Sequence, residues 1–286
     1  MKNNLTRRQM IGRTVLALVT AASGYGFLLE PRRLVVERVE VRLKRLPPEF
    51  DGFRIAQLSD IHYGPYMTSA FVREAVEEIN KLKAHLVALT GDFVSHPFGK
   101  NSGPEGASRY APPCAEVLHG LRADYGRFAV LGNHDHWNHP RIVMEALEAV
   151  GLPVLLNQSV PLEKEGARLW IVGAGDVMVG QVDMERALKP VPADEAAILL
   201  VHEPDYADHA AKFPVDLQLS GHSHGGQVRL PGIGAPILPI LGRKYPMGRY
   251  RVGNLQLYTN RGLGVIDPPV RWNCPPEITL VTLRAG

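Results

Sequence analysis

Cysteine is almost missing from this chain: of 286 residues only Cys114 and Cys274 are cysteines, and nothing in their spacing makes a metal-ligating pair. Thiolate zinc sites and a C-x-x-C redox centre are thereby excluded, and whether the two thiols meet in a disulfide is left open. Basic runs are missing from the body of the chain as well. With 32 Lys+Arg against 29 Asp+Glu the formal charge is only +3, so there is no electrostatic footprint for nucleic acid, and no nucleic-acid partner is expected. A G-x-S-x-G elbow, a Walker loop and a dinucleotide fingerprint are all absent, which removes support for serine-hydrolase, nucleotide-kinase and Rossmann readings. No internal repeat stands out.

What is present is a set of His, Asp and Asn residues in five blocks. Gly132-Asn133-His134-Asp135-His136 is the densest, and Asp60-Ile61-His62, Gly91-Asp92, His202 and Gly221-His222-Ser223-His224 accompany it. Most follow an apolar run of strand type: Phe53 to Leu58, Leu86 to Leu89, Phe128 to Leu131 and Ala197 to Val201. Ligands would then collect at the carboxyl ends of strands, where open α/β sheets bind them. In extended chain, residues two apart project to one side, so Asp60 with His62 and His222 with His224 would each aim a pair of donors at one cavity.

Imidazole nitrogen together with carboxylate or amide oxygen is the donor mixture of divalent first-row metals, and two-metal sites hold their ions roughly 3.5–4 Å apart around a shared ligand. Asp60, His62, Asp92, Asn133, His202, His222 and His224 supply that mixture. With one carboxylate bridging, each of two ions would have four protein donors and open positions for water and substrate. Two aspartates against two divalent cations leave a positive excess, suited to an anionic phosphate ester and to lowering the pKa of a bound water. Taken singly, each block has an ordinary structural explanation as a helix cap or a strand-ending turn; jointly and in order they point to a two-metal hydrolytic centre.

In this order the blocks D-x-H, G-D, G-N-H-D, H and G-H-x-H resemble the calcineurin-like metallophosphoesterase family over residues 53 to about 227, and the tail from Gly225-Gly226-Gln227 to Asn260-Arg261-Gly262-Leu263-Gly264 resembles its YaeI/YkuE-like branch. The resemblance implies a four-layer α/β/β/α sandwich, where the sequence alone supports only α/β. It places Asp60, His62, Asp92 and His224 on one metal and Asp92, Asn133, His202 and His222 on the other, with Asp92 as the bridge. His134 would face substrate and protonate the leaving group, Asp135 would orient the His134 imidazole, and Arg261 would add a phosphate contact. Metal-hydroxide attack on phosphorus in a phosphodiester of the cell envelope is the expected chemistry, with manganese, iron or zinc as the ion and a phosphorylated small molecule or lipid-linked phosphate as the substrate. A cytoplasm-facing hydrolase of UDP-2,3-diacylglucosamine and a non-catalytic metal-binding protein of the same fold are the alternatives; the second would be expected to have lost a ligand or His134, and every position is filled. The other histidines, His85, His96, His119, His136, His139 and His209, are assigned to surface or core, with His136 and His139 near enough to touch substrate.

The front of the chain carries a second signal. Thr6-Arg7-Arg8-Gln9-Met10-Ile11 precedes an uncharged stretch from Thr14 to Leu29 and resembles a twin-arginine signal, although Met10, Ile11 and Gly12 depart from the usual residues. Ala21-Ala22-Ser23 is the best cleavage site, yet the apolar run continues past it, which favours a retained anchor. As a helix, 14–29 reaches roughly 24 Å at about 1.5 Å per residue, short of a ~30 Å hydrocarbon core unless Met10 to Arg13 are included. Residues 1–30 are therefore read as signal or anchor, giving membrane association through 14–29, and 34–286 as a single catalytic domain. Arg7, Arg8 and Arg13 precede the apolar run and Arg32 and Arg33 follow it, so the charge bias is modest; Lys2 and the paired-arginine pattern favour a cytoplasmic amino terminus, and the domain is expected outside the cytoplasmic membrane.

Alternation of apolar residues predicts a strand over Leu34 to Leu43, and further strands are expected at 168–172, 215–219, 255–259 and 278–283. Helices are expected over Ser69 to Leu82 and Arg141 to Val150. Two loops stand out. Ser95 to Pro113, rich in Gly and Pro with no apolar period, reads as a lid or a surface insertion, and Leu230 to Pro246 is apolar enough to be either a membrane-facing or acyl-binding edge or a segment packed on the domain.

Overall fold

The computed structural model describes residues 6–95 and 103–286. Its core is two sheets lying face to face, and the side chains that join them alternate along each strand. In β2 (Arg54–Leu58) Ile55 points toward the second sheet while Ala56 and Leu58 point to the outer helices; in β3 (Leu86–Thr90) Leu86 and Ala88 point inward, Val87 and Leu89 outward. The second sheet repeats the pattern in β6 (Ala167–Gly173), where Leu169 and Ile171 meet the first sheet and Trp170 and Val172 face away. Strands buried on both faces read as continuous apolar runs, which is why period two is hard to see in them.

The first sheet takes the order β1 (Val35–Leu43), β11 (Glu277–Ala285), β2, β3, β4 (Arg127–Val130). Beyond it pack α2 (Ser69–Lys81), α3 (Pro104–Leu118) and α5 (Pro140–Ala149), with the short α4 (Asn133–Asn138) between β4 and α5. The second sheet takes the order β5 (Gln158–Lys164), β6, β7 (Ala196–Leu200), β8 (Leu217–Ser220), β10 (Leu255–Thr259), β9 (Gly248–Val252). Its outer layer is thin, made of α6 (Met184–Leu188), α7 (Ala207–Ala210) and the chain around them. The layers are therefore α/β/β/α. Because β2, β3 and β4 run parallel, as do β6, β7 and β8, their carboxyl ends share one edge of the sandwich.

Three expectations need correction. Residues 104–113, read as loop, lie in α3, which continues through Pro112 and Pro113. The breakers masked a real period: Ala107, Ala111, Cys114, Ala115 and Leu118 are buried at helical spacing against the core. The remainder of that expected lid, residues 96–102, lies outside the described residues. Strands β5 and β9 were not foreseen, because they are edge strands with much of their surface in solvent. The apolar stretch 14–29 is not one helix either. α1 (Arg7–Gly24) gives way to a π-helical turn at Tyr25–Leu29, where the Tyr25 ring packs edge-on against Trp272 at 5.5 Å and the Gly26 carbonyl accepts the Arg271 amide at 2.9 Å. Glu30 follows, buried, with its carboxylate accepting the Cys274 amide at 2.6 Å, so the expected junction near residue 30 falls inside a packed segment. Among the described residues no helix is long and apolar enough to cross a membrane.

Candidate metal centre

Each expected ligand lies just past a strand end: Asp60 after β2, Asp92 after β3, Asn133 after β4, His202 after β7 and His222 after β8. The donors are not in extended chain, however. Asp60, His62, Asp92, His222 and His224 have φ of 50°, 49°, 57°, 67° and 50°, in the left-handed region that non-glycine residues seldom occupy. D-x-H and H-x-H thus converge as tight turns rather than as strand faces, and backbone strain concentrated in one place is a mark of a functional site. Neighbouring glycines let the turns interlock. A Cβ on Gly132 would sit 2.4 Å from an Asp92 carboxylate oxygen, and one on Gly221 would overlap Ser59 and Asp60.

Three groups of donor atoms result, each with all donors within 4.8 Å of one another. Asp60, His62 and His224 form the first, Asp92, His202 and His222 the second, and a third, His62, Asp92 and His134, links them. In the first, the Nε2 atoms of His62 and His224 are 2.9 Å apart and Asp60 Oδ1 is 3.4 Å from His224 Nε2. In the second, Asp92 Oδ2 lies 3.1 Å from His202 Nε2 without hydrogen-bond geometry, and Asn133 Oδ1 lies 2.9 Å from His222 Nδ1. Asp92 Oδ2 is also 3.6 Å from His62 Nε2, so one carboxylate oxygen faces both sets. Its other oxygen accepts the His134 amide at 2.8 Å, which fixes the carboxylate in that orientation.

Protonation states suit cation binding. Burial, reinforced by neighbouring imidazoles, holds His62 and His224 well below the ordinary histidine value and His222 down at about 4, so all three are neutral with a lone pair to offer. Burial pushes Asp92 up, but His202, His134 and His62 outweigh it and keep the carboxylate ionised. Outer contacts select the tautomers: His202 Nδ1–H donates to the Thr90 carbonyl at 2.7 Å, and His222 Nε2–H donates to the Ile240 carbonyl at 2.8 Å. His202 runs the other way: burial lowers it, but Asp92 and Asp60 outweigh burial and hold it well above the ordinary histidine value, a positive charge that a metal cation would replace. Burial lifts Asp60 to about 6. Three neutral imidazoles, a fourth whose proton a metal would displace, the carboxylates of Asp60 and Asp92 and the Asn133 amide oxygen, all buried, fit two divalent ions.

His134 is half-buried beside the donors, its ring 4.7 Å from that of His62 and 4.8 Å from that of Trp137. It lines a cavity of about 390 Å³ that opens onto Asp92, Asn133, His222 and His224. The expected helper of His134 has a different task. Both oxygens of Asp135 accept backbone amides, those of Asp92 (2.9 Å) and Gly132 (3.0 Å) on one and of Phe93 (2.8 Å) and Val94 (3.2 Å) on the other. Asp135 thus pins the Asp92 turn to the start of α4. Arg261 is also corrected: its guanidinium is held by Glu37 at 2.6 Å and Glu277 at 2.5 Å and does not line the cavity, so a phosphate contact would have to break two ion pairs. The two thiols are free, Cys114 against the Phe93 carbonyl and Cys274 against that of His224.

Sequence reasoning missed several contributors. Arg271 is fully buried and donates to the carbonyls of Arg261, Gly262, Gly264 and Cys274, which shapes the loop packed on Asp60. Glu203, buried next to His202, accepts the amides of Val177 and Met178 at 3.2 Å each and so brings Met178 to the cavity rim. Trp137, Met178, Pro239 and Ile266 give that rim its apolar character. Only Trp137, one turn after Asn133, lay close enough to a motif to have been noticed.

Comparison with known proteins agrees with this geometry. The family model for calcineurin-like phosphoesterase matches residues 53–226. The chain is 36% identical to the uncharacterized metallophosphoesterase YkuE of Bacillus subtilis, over 98% of both chains. It is 31% identical to the phosphodiesterase YaeI of Escherichia coli, over 98% of this chain and 99% of that one. It is 28% identical to the UDP-2,3-diacylglucosamine pyrophosphatase LpxG of Chlamydia trachomatis, over 94% of each. Relatives named as phosphodiesterase and pyrophosphatase mark it as a hydrolase of phosphoric esters, and the chain belongs to the calcineurin-like phosphoesterase family.

Proposed function

We propose that the protein is a two-metal phosphodiesterase acting on a phosphodiester of the cell envelope. The observation that carries this reading is the pair of donor sets sharing Asp92 at the floor of an apolar-rimmed cavity. In it, Asp60, His62, Asp92 and His224 would hold one ion, and Asp92, Asn133, His202 and His222 the other. Bound there, divalent ions supply charge for the phosphoryl oxygens and a water of lowered pKa. Asp92 keeps the two sets in register, and Asp135 keeps Asp92 in place through four backbone amides. His134, at the cavity wall, contacts the phosphoryl group and gives a proton to the leaving oxygen. Trp137, Met178, Pro239 and Ile266 exclude water and offer apolar contact to the non-phosphate part of the substrate.

That apolar rim also favours a second reading, a lipid-linked pyrophosphate of the kind named for LpxG. The paired arginines that open α1, ahead of its apolar stretch, support export of the domain, and export separates it from a cytoplasmic UDP-lipid. The full chain, loaded with manganese and assayed on an aryl phosphodiester, an aryl monophosphate and a UDP-linked lipid, tests the choice. Turnover of the diester at the highest kcat/KM is expected; preference for the UDP-lipid would overturn the first reading in favour of the second.

A further inference from the structure

Between Arg229 and Arg243 the chain reads Leu230-Pro231-Gly232-Ile233-Gly234-Ala235-Pro236-Ile237-Leu238-Pro239-Ile240-Leu241-Gly242, without one polar side chain. An apolar loop is normally apolar because it packs. This one does not: Ile237 is 79% exposed, Ile233 75%, Ile240 62% and Leu230 40%. Four branched or aliphatic side chains in water on one short loop form the kind of surface that soluble monomers avoid. We infer that this loop is a bilayer-docking element that seats the mouth of the metal site on an anionic lipid surface.

Two observations select a lipid surface. The first is charge. Cations stand at both ends, half-buried Arg229, which also donates to the Gly225 carbonyl at 2.9 Å, and exposed Arg243, placed to meet lipid phosphates as the isoleucines enter the acyl boundary. Lys244 adds nothing, because Asp208 holds its ammonium at 2.8 Å. The second is continuity with other exposed apolar surface. The Arg229 amide donates to the Trp272 carbonyl at 2.9 Å, Trp272 packs on Tyr25, and just beyond it Phe27, Leu28 and Leu29 are exposed.

The loop is also tied to the site. Pro239 lines the cavity, and the Ile240 carbonyl accepts His222 Nε2–H. A bilayer at Ile233 and Ile237 therefore lies next to the cavity mouth, where the phosphodiester of a lipid headgroup would be presented. This substrate class rests on the phosphodiesterase reading above; the docking itself does not.

The two parts can be measured separately on the full chain. An environment-sensitive fluorophore is attached at Ile237→Cys, the native thiols being buried. With vesicles of phosphatidylglycerol and phosphatidylethanolamine, the label is expected to shift to the blue and to be quenched by brominated acyl chains. A label that stays in water with vesicles present would overturn the docking, as would a label already shielded in a dimer without them, because a second copy would then be the occupant. In the activity arm, Ile233→Asp/Ile237→Asp is expected to lower hydrolysis of a vesicle-embedded phosphodiester by about tenfold or more while leaving a soluble aryl phosphodiester within about twofold. An equal loss on both substrates would overturn the docking role. Insertion of the label into vesicles by a chain that hydrolyses neither substrate would uphold docking and overturn the phosphodiesterase reading instead.

Discussion

His202 and His222 differ from His62 and His224 in what stands behind them. In the first pair a backbone carbonyl holds each outer nitrogen, Thr90 for His202 and Ile240 for His222, so each ring is fixed in orientation and tautomer. The outer Nδ1 atoms of His62 and His224 are buried with no hydrogen-bond partner among the described residues. The donor chemistry is the same, yet one set is braced and the other relies on packing and on the ion itself. Outer hydrogen bonds of this kind are commonly worth about 10–100-fold in metal affinity. The set of Asp92, Asn133, His202 and His222 is thus the preorganised half of the centre, and Asp60, His62 and His224 the looser half.

The largest effect expected from this arrangement is on chemistry rather than on metal. His134→Ala should lower kcat by about two to four orders of magnitude, with metal content near that of the wild type, whereas His202→Ala should lose the ion from the braced set. Elemental analysis beside kinetics separates the two, and equal loss of metal in both variants would make His134 a ligand. Next in size is the difference between the halves. A chelator titration followed by metal content should release the two ions in two phases, the looser one at roughly 10–100-fold lower chelator concentration. His62→Ala should abolish that early phase and leave the late one; a single phase would show that the backing hydrogen bonds do not distinguish the halves. Smallest is the rim: Trp137→Ala should raise KM by roughly two- to tenfold through loss of an aromatic contact, with kcat little changed. A larger fall in kcat than rise in KM would mean that Trp137 holds the His134 ring in place, which their 4.8 Å contact permits.

Legibility in the sequence followed the distance over which each feature is encoded. The donors were readable because five short blocks carry residues that a metal demands, and the structure brings all seven together. How they converge was not readable, since left-handed φ at Asp60 or His222 is imposed by the facing turns rather than by the residues themselves. Arg261 shows the same limit. Its partner Glu37 is on the first strand of the domain, and no local pattern ties the two. Asp135 was assigned to the nearest plausible imidazole, when its work is across the sheet edge at Phe93 and Val94. In α3, Pro112 and Pro113 outweighed a small-residue period that only packing against α2 and α5 makes decisive.

The central claim is that one carboxylate, Asp92, joins the two donor sets, and Asp92→Asn tests it most directly, because it removes the negative charge between two cations while preserving shape. After dialysis against metal-free buffer, elemental analysis of the variant should show both ions depleted together, braced half included, with activity lost in parallel. Two tightly retained ions with undiminished activity would contradict the bridge.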